Sequence, residues 1–292
     1  MSDDKKSFSL TVLGSRGSMA VTGKDKIKYG CGTSSYLVEA GDEIIILDAG
    51  SGIMSLEDLH KKKMSLLISH AHIDHIMGLP MFLTDFMVYG GKELWIYGQT
   101  RTGMPIKQQL ELYMREPLWP IGFDKFPINL EFSGVSASFP IGKVRVTTME
   151  SNHPGGSTIY GLEFDGKKIV YATDFEHGSR NAEYKEEDSS DIPAFKRLAE
   201  FSKGADLILY DAQYTPSEYE KCRGFGHSTY VKALELYELS EARNMLLVHH
   251  APIHTDDFMD QLGIELEKAI ASLPHAPRGN IHFAVEGERI WL

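Results

Sequence analysis

Residues 69–80 read SHAHIDHIMGLP and place His70, His72, Asp74 and His75 within six positions, directly after the apolar run at 65–68. The chain has only 12 histidines, so three of them in so short a segment is a strong constraint. A polar loop whose histidines bond only to backbone is the alternative. Four nitrogen and carboxylate donors together fit cation coordination better. His70 and His72, two positions apart, can aim at one cation, and the neighbouring Asp74 and His75 can address a second beside it. Such a loop requires a rigid strand behind it and further donors brought in from distant parts of the chain.

The remaining pattern supplies that scaffold. FSLTVLG (8–14) alternates like a strand and ends in the glycine loop GSRGS. SSYLVEAGDEIIILDAGSG (34–52) reads as a hairpin around a Gly-Asp turn. Further strands are expected at KELWIYG, KVRVTTME, GLEFDGKKIVYATD, ADLILYDA, NMLLVHH and IHFAVEGERIWL. Helices are expected at 73–87, 104–115, 191–203, 226–242 and 257–272. The polar segment 177–191 reads as a surface excursion. No composition break or linker divides the chain, so residues 1–292 are expected to form a single domain. Two strand-rich halves joined through one site would pack as a four-layer αβ/βα sandwich, with the metal loop in the first half and later donors in the second.

Charge and composition exclude several classes. Thirty basic against 41 acidic residues give −11, a field that repels phosphate backbones and disfavours a stable nucleic-acid complex. Two cysteines, Cys31 and Cys222, are too few for a secreted disulfide framework. The opening MSDDKKSFSLTVLG lacks an apolar signal core, and no run approaches the roughly 18–20 apolar residues of a membrane span. A soluble, cytoplasmic protein without membrane contact, acting on a small molecule, is the expectation.

On these residues the chain resembles the metallo-β-lactamase-fold hydrolase superfamily. LDAGSG (47–52) is similar to the family's Asp-x-Gly strand end, where Asp48 would orient a ligand histidine. ESNHPGGS (150–157) offers His153, IVYATD (169–174) offers Asp174, and LLVHHAP (246–252) offers the last histidine. The resemblance implies one metal held by His70, His72 and His153 and another by Asp74, His75 and the late histidine. Asp174 and a hydroxide would bridge them. His249 and His250 compete for that last place. Alignment of the Pro252 turn with the endonuclease branch favours His249, and strand alternation allows only one of the two. Zinc is the default ion, with manganese or iron acceptable to the carboxylate-containing half.

GFGHSTYVKALEL (224–236) resembles the segment before a helix in tRNA 3′-processing endonucleases of the RNase Z type and their phosphodiesterase-like relatives. The resemblance gives His227 the task of protonating the departing alkoxide, with Ser228 or Thr229 capping the helix. Asp74 would both bind metal and orient the nucleophile. GSRGS would add backbone donors and Arg16 near the site. One departure stands out: His153 and Asp174 are too close in sequence for the family's tRNA-gripping arm, which leaves only a hairpin. The resemblance therefore implies a dinuclear phosphodiesterase of small or cyclic nucleotide-like substrates rather than a tRNA-processing enzyme. A lactone, thioester or ester hydrolase on the same metals and a metal-bound ligand sensor are the alternatives. Segment 99–132, with Tyr113, Trp119, Phe123 and Phe126, is either a substrate-shaping lid or an apolar flap on the core or at a homodimer interface. His60, His177, His254, His275 and His282 are expected in surface or supporting roles, and Asp211 in the cleft lining.

Overall fold

The computed structural model describes residues 8–56, 63–178 and 193–292. His60 and nearly all of the 177–191 excursion lie outside them. The first half carries strands β1 (Phe8–Gly14), β2 (Ser35–Ala40), β3 (Glu43–Leu47), β4 (Lys63–Leu67), β5 (Glu93–Gly98) and β6 (Asn129–Gly134). The second carries β7 (Ser138–Ile141), β8 (Val144–Glu150), β9 (Thr158–Phe164), β10 (Lys167–Ala172), β11 (Leu207–Asp211), β12 (Asn244–Val248) and β13 (Ile281–Phe283), and β14 (Arg289–Trp291) ends the series. The helices are α1 (Ile73–Ile76), α2 (Leu79–Val88), α3 (Ile106–Glu111), α4 (Pro193–Phe201), α5 (Pro216–Cys222), α6 (Tyr230–Ser240) and α7 (Asp256–Ala271).

Two seven-stranded sheets result, ordered β14-β1-β2-β3-β4-β5-β6 and β13-β12-β11-β10-β9-β8-β7. Each is antiparallel at one end and parallel at the other: β3, β4, β5 and β6 run parallel, as do β10, β11, β12 and β13. Strand alternation explains the apolar runs, because both faces of each sheet are covered. Ile45 and Leu47 of β3, Tyr171 of β10, Leu209 of β11 and Leu246 and Val248 of β12 fill the layer between the sheets. Ile44 and Ile46 pack outward with Phe82, Phe86 and Leu110. Val170, Ile208, Tyr210 and Leu247 pack outward with side chains of α4, α6 and α7. The four-layer αβ/βα sandwich expected from the pattern is the architecture found.

Several elements differ from the sequence reading. The helix expected at 73–87 is two, α1 and α2, because the Gly78 N–H leaves the helical ladder to bond the Ala49 carbonyl. The helix expected at 226–242 starts only at Tyr230, with the Thr229 hydroxyl accepting from the Lys232 N–H, so Thr229 is the cap and Ser228 is not. α5 was not expected; Thr215 and Glu218 cap it reciprocally. IHFAVEGERIWL is not one strand. After β13 the chain turns at Gly287 (φ 88°) and crosses to pair β14 with β1 in the other sheet. Segment 99–132 puts Ile106, Leu110, Met114, Phe123 and Phe126 into the outer core of the first sheet, with Tyr113 and Trp119 packed against them. Its apolar-flap reading holds for these residues. Among the described residues, no helix is long and apolar enough to cross a membrane.

Candidate metal centre

The two parallel ends of the sheets place their chemistry at the same edge, the carboxyl ends of the strands, as open α/β sheets tend to do. Asp48 follows β3, Ser69 and His70 follow β4, Asp174 follows β10, Asp211 ends β11 and His249 follows β12. Asp48, Asp174 and His249 all have positive φ, at 59°, 51° and 66°. For non-glycine residues this conformation costs on the order of 1–2 kcal/mol each. The fold sustains that cost at three of the positions where a strand ends and a polar side chain must turn back toward the seam.

Two groups of donors form there. Atoms of His70, His72 and His153 lie within 4.8 Å of one another, and so do those of Asp74, His75 and His249. Asp174 stands between the groups. Its Oδ1 is 3.8 Å from His70 Nε2 and from His153 Nε2, while its Oδ2 is 3.1 Å from His75 Nε2 and 3.4 Å from His249 Nε2. His249 and His250 part company: His249 Nε2 is 3.2 Å from Asp74 Oδ2, whereas His250 Nε2 bonds the Ala284 carbonyl at 2.8 Å among Tyr29 and Phe283.

The imidazoles are tied from behind in one manner. His75 Nδ1 donates to Asp48 Oδ2 (2.7 Å), His153 Nδ1 to the Gly226 carbonyl (3.0 Å) and His249 Nδ1 to Gln213 Oε1 (2.8 Å). Ser69 Oγ gives its own proton to Asp48 and so accepts from His70 Nδ1 at 3.1 Å. Fixing the proton on Nδ1 leaves each Nε2 lone pair directed inward. His70 Nε2 is buried and makes no hydrogen bond, the kind of unsatisfied buried nitrogen that native proteins avoid unless a ligand takes it.

Charge tells the same story. Burial pushes His70 well below the usual imidazole range, with His75 adding to the effect, and burial pushes His153 down to about 4. Those nitrogens are neutral and ready to donate. Burial also opposes charge on His75 and His249, yet Asp174 and Asp74 outweigh it: His75 is raised well above the usual range and His249 to about 9. The carboxylates thus hold protons where they could hold a cation, and a cation would displace them. Buried lone pairs on one side and an excess of carboxylate charge on the other fit two divalent ions.

The profile of the beta-lactamase superfamily domain matches residues 45–250, which include every donor described above. The chain belongs to the beta-lactamase superfamily. Among its relatives is the ribonuclease Z of Pyrococcus furiosus, 24% identical over 256 residues covering 75% of this chain and 80% of that one. Among solved structures, the metallo-beta-lactamase fold protein YhfI of Bacillus subtilis superposes with a TM-score of 0.68 at 18% identity, over 98% of this chain and 100% of that one. A diphosphatase of the PhnP family superposes with 0.64 at 20% identity, over 97% of each. The superfamily fold is one that holds divalent metals, in keeping with the two donor groups.

His227 adjoins this superfamily centre. Its ring stacks on His249 at 4.8 Å and lies 5.4 Å from His153. His227 Nδ1 donates to Asp211 Oδ2 at 2.8 Å. Asp174, Asp211, His227 and His249 also form a group within 4.8 Å. The Asp211 oxygens, however, already accept from His227 and from the N–H groups of Asp174, Gln213 and Ser228, so this carboxylate is committed to holding the ring. Asp74 Oδ2 accepts from the Ser18 N–H at 2.6 Å, and a Cβ at Gly17 would lie 2.1 Å from His249 Nδ1. GSRGS thus touches the centre through backbone. Arg16 does not: its buried guanidinium bonds the carbonyls of Gly30, Ala251 and His254.

Sequence reasoning missed two residues. Glu176, fully buried, accepts from the Gly224 and Gly226 N–H groups at 2.7 and 2.9 Å and from the Tyr219 hydroxyl at 2.8 Å. It pins the loop whose Gly226 carbonyl holds His153 and whose next residue is His227. A Cβ at Gly226 would meet the His153 ring at 2.1 Å. Gln213, which holds His249, is the other. Its only sequence signal is its place just after a strand that ends in Asp211.

Proposed function

We propose that this chain is a dinuclear metal-dependent phosphodiesterase acting on a small or cyclic nucleotide-like phosphodiester. The observation that carries the reading is the His227–Asp211 pair seated against the donor groups. A thioester expels a thiolate and has little need of such an acid, whereas an alkoxide leaving from phosphorus does. The names of the relatives, a ribonuclease and a diphosphatase, support cleavage at phosphorus. The −11 charge and the bare Asp165–Gly166 turn joining β9 to β10 support a small substrate over tRNA.

In this reading His70, His72 and His153 would hold one ion and Asp74, His75 and His249 the other, with Asp174 between the two groups. Three neutral imidazoles suit zinc, and the carboxylate-bearing half also suits manganese or iron. When bound there, divalent ions would lower the pKa of a water and offset charge on the phosphoryl oxygens. Asp74, held by the Ser18 N–H, orients the attacking water and accepts its hydrogen bond. His227, oriented by Asp211, gives a proton from Nε2 to the leaving oxygen.

His227→Ala tests this directly. The variant keeps its metals, and turnover of a diester with an alkyl or nucleoside leaving group falls about 10²–10⁴-fold, the usual worth of general acid catalysis. The loss shrinks for a nitrophenolate leaving group, which departs without a proton. Equal losses on both substrates, or wild-type turnover of lactones or thioesters but of no phosphodiester, would overturn the proposal.

A further inference from the structure

Beside the centre, on the His70 and His72 side, lies a cleft of about 390 Å³. Much of its lining is apolar: Ile73, Ile76, Met104, Leu112, Tyr113 and Leu118. Ile73, Leu112 and Leu118 are 44%, 45% and 65% exposed. α3 and its flanks are therefore two-sided. Ile106, Leu110 and Met114 face the core, while Met104, Leu112 and Tyr113 face the cleft. Exposed apolar side chains gathered in a concavity mark a ligand surface more often than chance placement does.

The lining also has polar members: Thr102, and Gln109, whose amide N–H groups are taken by the Gln99 and Met104 carbonyls. His70 and His72 open onto the cleft, and Arg101 stands at its edge. Arg101 is anchored by Glu150 at 2.7 and 3.1 Å and by Thr158 at 3.0 Å, with its buried Nε left unpaired. A molecule bridging centre and cleft would thus have an anionic end at the histidines and an apolar body running outward.

We propose that this cleft is a specificity pocket for an apolar substituent of aromatic-ring size carried on the phosphoryl group. The inference rests on the phosphodiesterase reading and adds what that reading lacks, the chemistry of the group next to phosphorus. Such a pocket discriminates by burying apolar surface, and the polar centre holds substrates with and without the ring alike.

Calorimetry on the metal-loaded protein with two probes tests it, phenylphosphonate against methylphosphonate. The wild type should bind phenylphosphonate on the order of tenfold or more tightly than methylphosphonate. Leu112→Ser with Leu118→Ser, both at exposed positions, should remove most of that preference by weakening phenylphosphonate alone. Ile264→Ser, at an exposed site on α7, should leave the preference intact. Equal wild-type affinities, binding of neither probe, or a preference retained in the double variant would overturn the pocket. The readout is binding, so it stands or falls separately from phosphodiester turnover.

Discussion

His249 and His250 are adjacent imidazoles with opposite surroundings. β12 sends Leu246 and Val248 into the layer between the sheets, and simple alternation would give the next inward place to His250. The strand pairing ends at Val248, and the positive φ of His249 turns its ring to Asp74 and Asp174. Alternation could not settle this from sequence, because the deciding feature is a backbone conformation that β-strand periodicity does not encode. His249→Ala should reduce bound metal from about two ions to about one per chain, while His250→Ala should leave metal content near two; elemental analysis reads both. The opposite pattern would assign the ligand to His250. The donor pattern in SHAHIDH was legible because ligand chemistry favours particular side chains at short spacings, whereas Asp174 was legible only through the family resemblance. Glu176 and Gln213 were not. They act on groups far along the chain, and nothing local distinguishes a buried supporting Glu from a solvated one.

At the scale of elements, strands delimited by turn residues were legible and their partners were not. IHFAVEGERIWL read as one strand because apolar residues stand at both of its ends; only the crossing at Gly287 assigns those ends to different sheets. α5 was hidden by the short, polar character of PSEYEKC, and its capping box, Thr215 with Glu218, was the signal available. α5 has a consequence for acid stability. Tyr219 lies against the buried His177 ring at 4.1 Å, and His177 Nδ1 meets Ser228 Oγ at 2.9 Å. Burial, with lesser help from Lys232 and Arg223, pushes His177 down to about 3, so the folded state keeps it neutral while the unfolded chain protonates it near the ordinary value of about 6.5. The unfolded state then binds more protons between those values. Stability owed to this group is complete above pH about 6.5 and is lost as pH falls toward 3. Urea midpoints of the metal-free protein should decline across that window, at up to about 1.4 kcal/mol per pH unit from this group. His177→Gln should decline less steeply. Parallel declines would show that His177 does not resist protonation in the fold.

The whole molecule is two sheets of like design whose parallel ends meet at one edge, so that donors from residue 48 to residue 249 converge in the seam. That edge was foreseeable in outline, since strands ending in Asp or His recur along the chain; the place of Asp174 between two donor groups was legible only through the family resemblance, because no local pattern brings residues 70–75, 153 and 249 around it. The acidic balance of the chain and the carboxylates of the centre make a strongly cation-seeking site inside an otherwise anionic molecule. If two ions bound in this seam serve phosphodiester cleavage, activity must follow metal loading with a stoichiometry of two. Metal-free protein is given zinc in steps, and hydrolysis of bis(p-nitrophenyl) phosphate is followed at each step. Activity should be absent without metal and should rise to a plateau at about two equivalents per chain. A plateau at one equivalent, or full metal loading with no hydrolysis, would contradict the account.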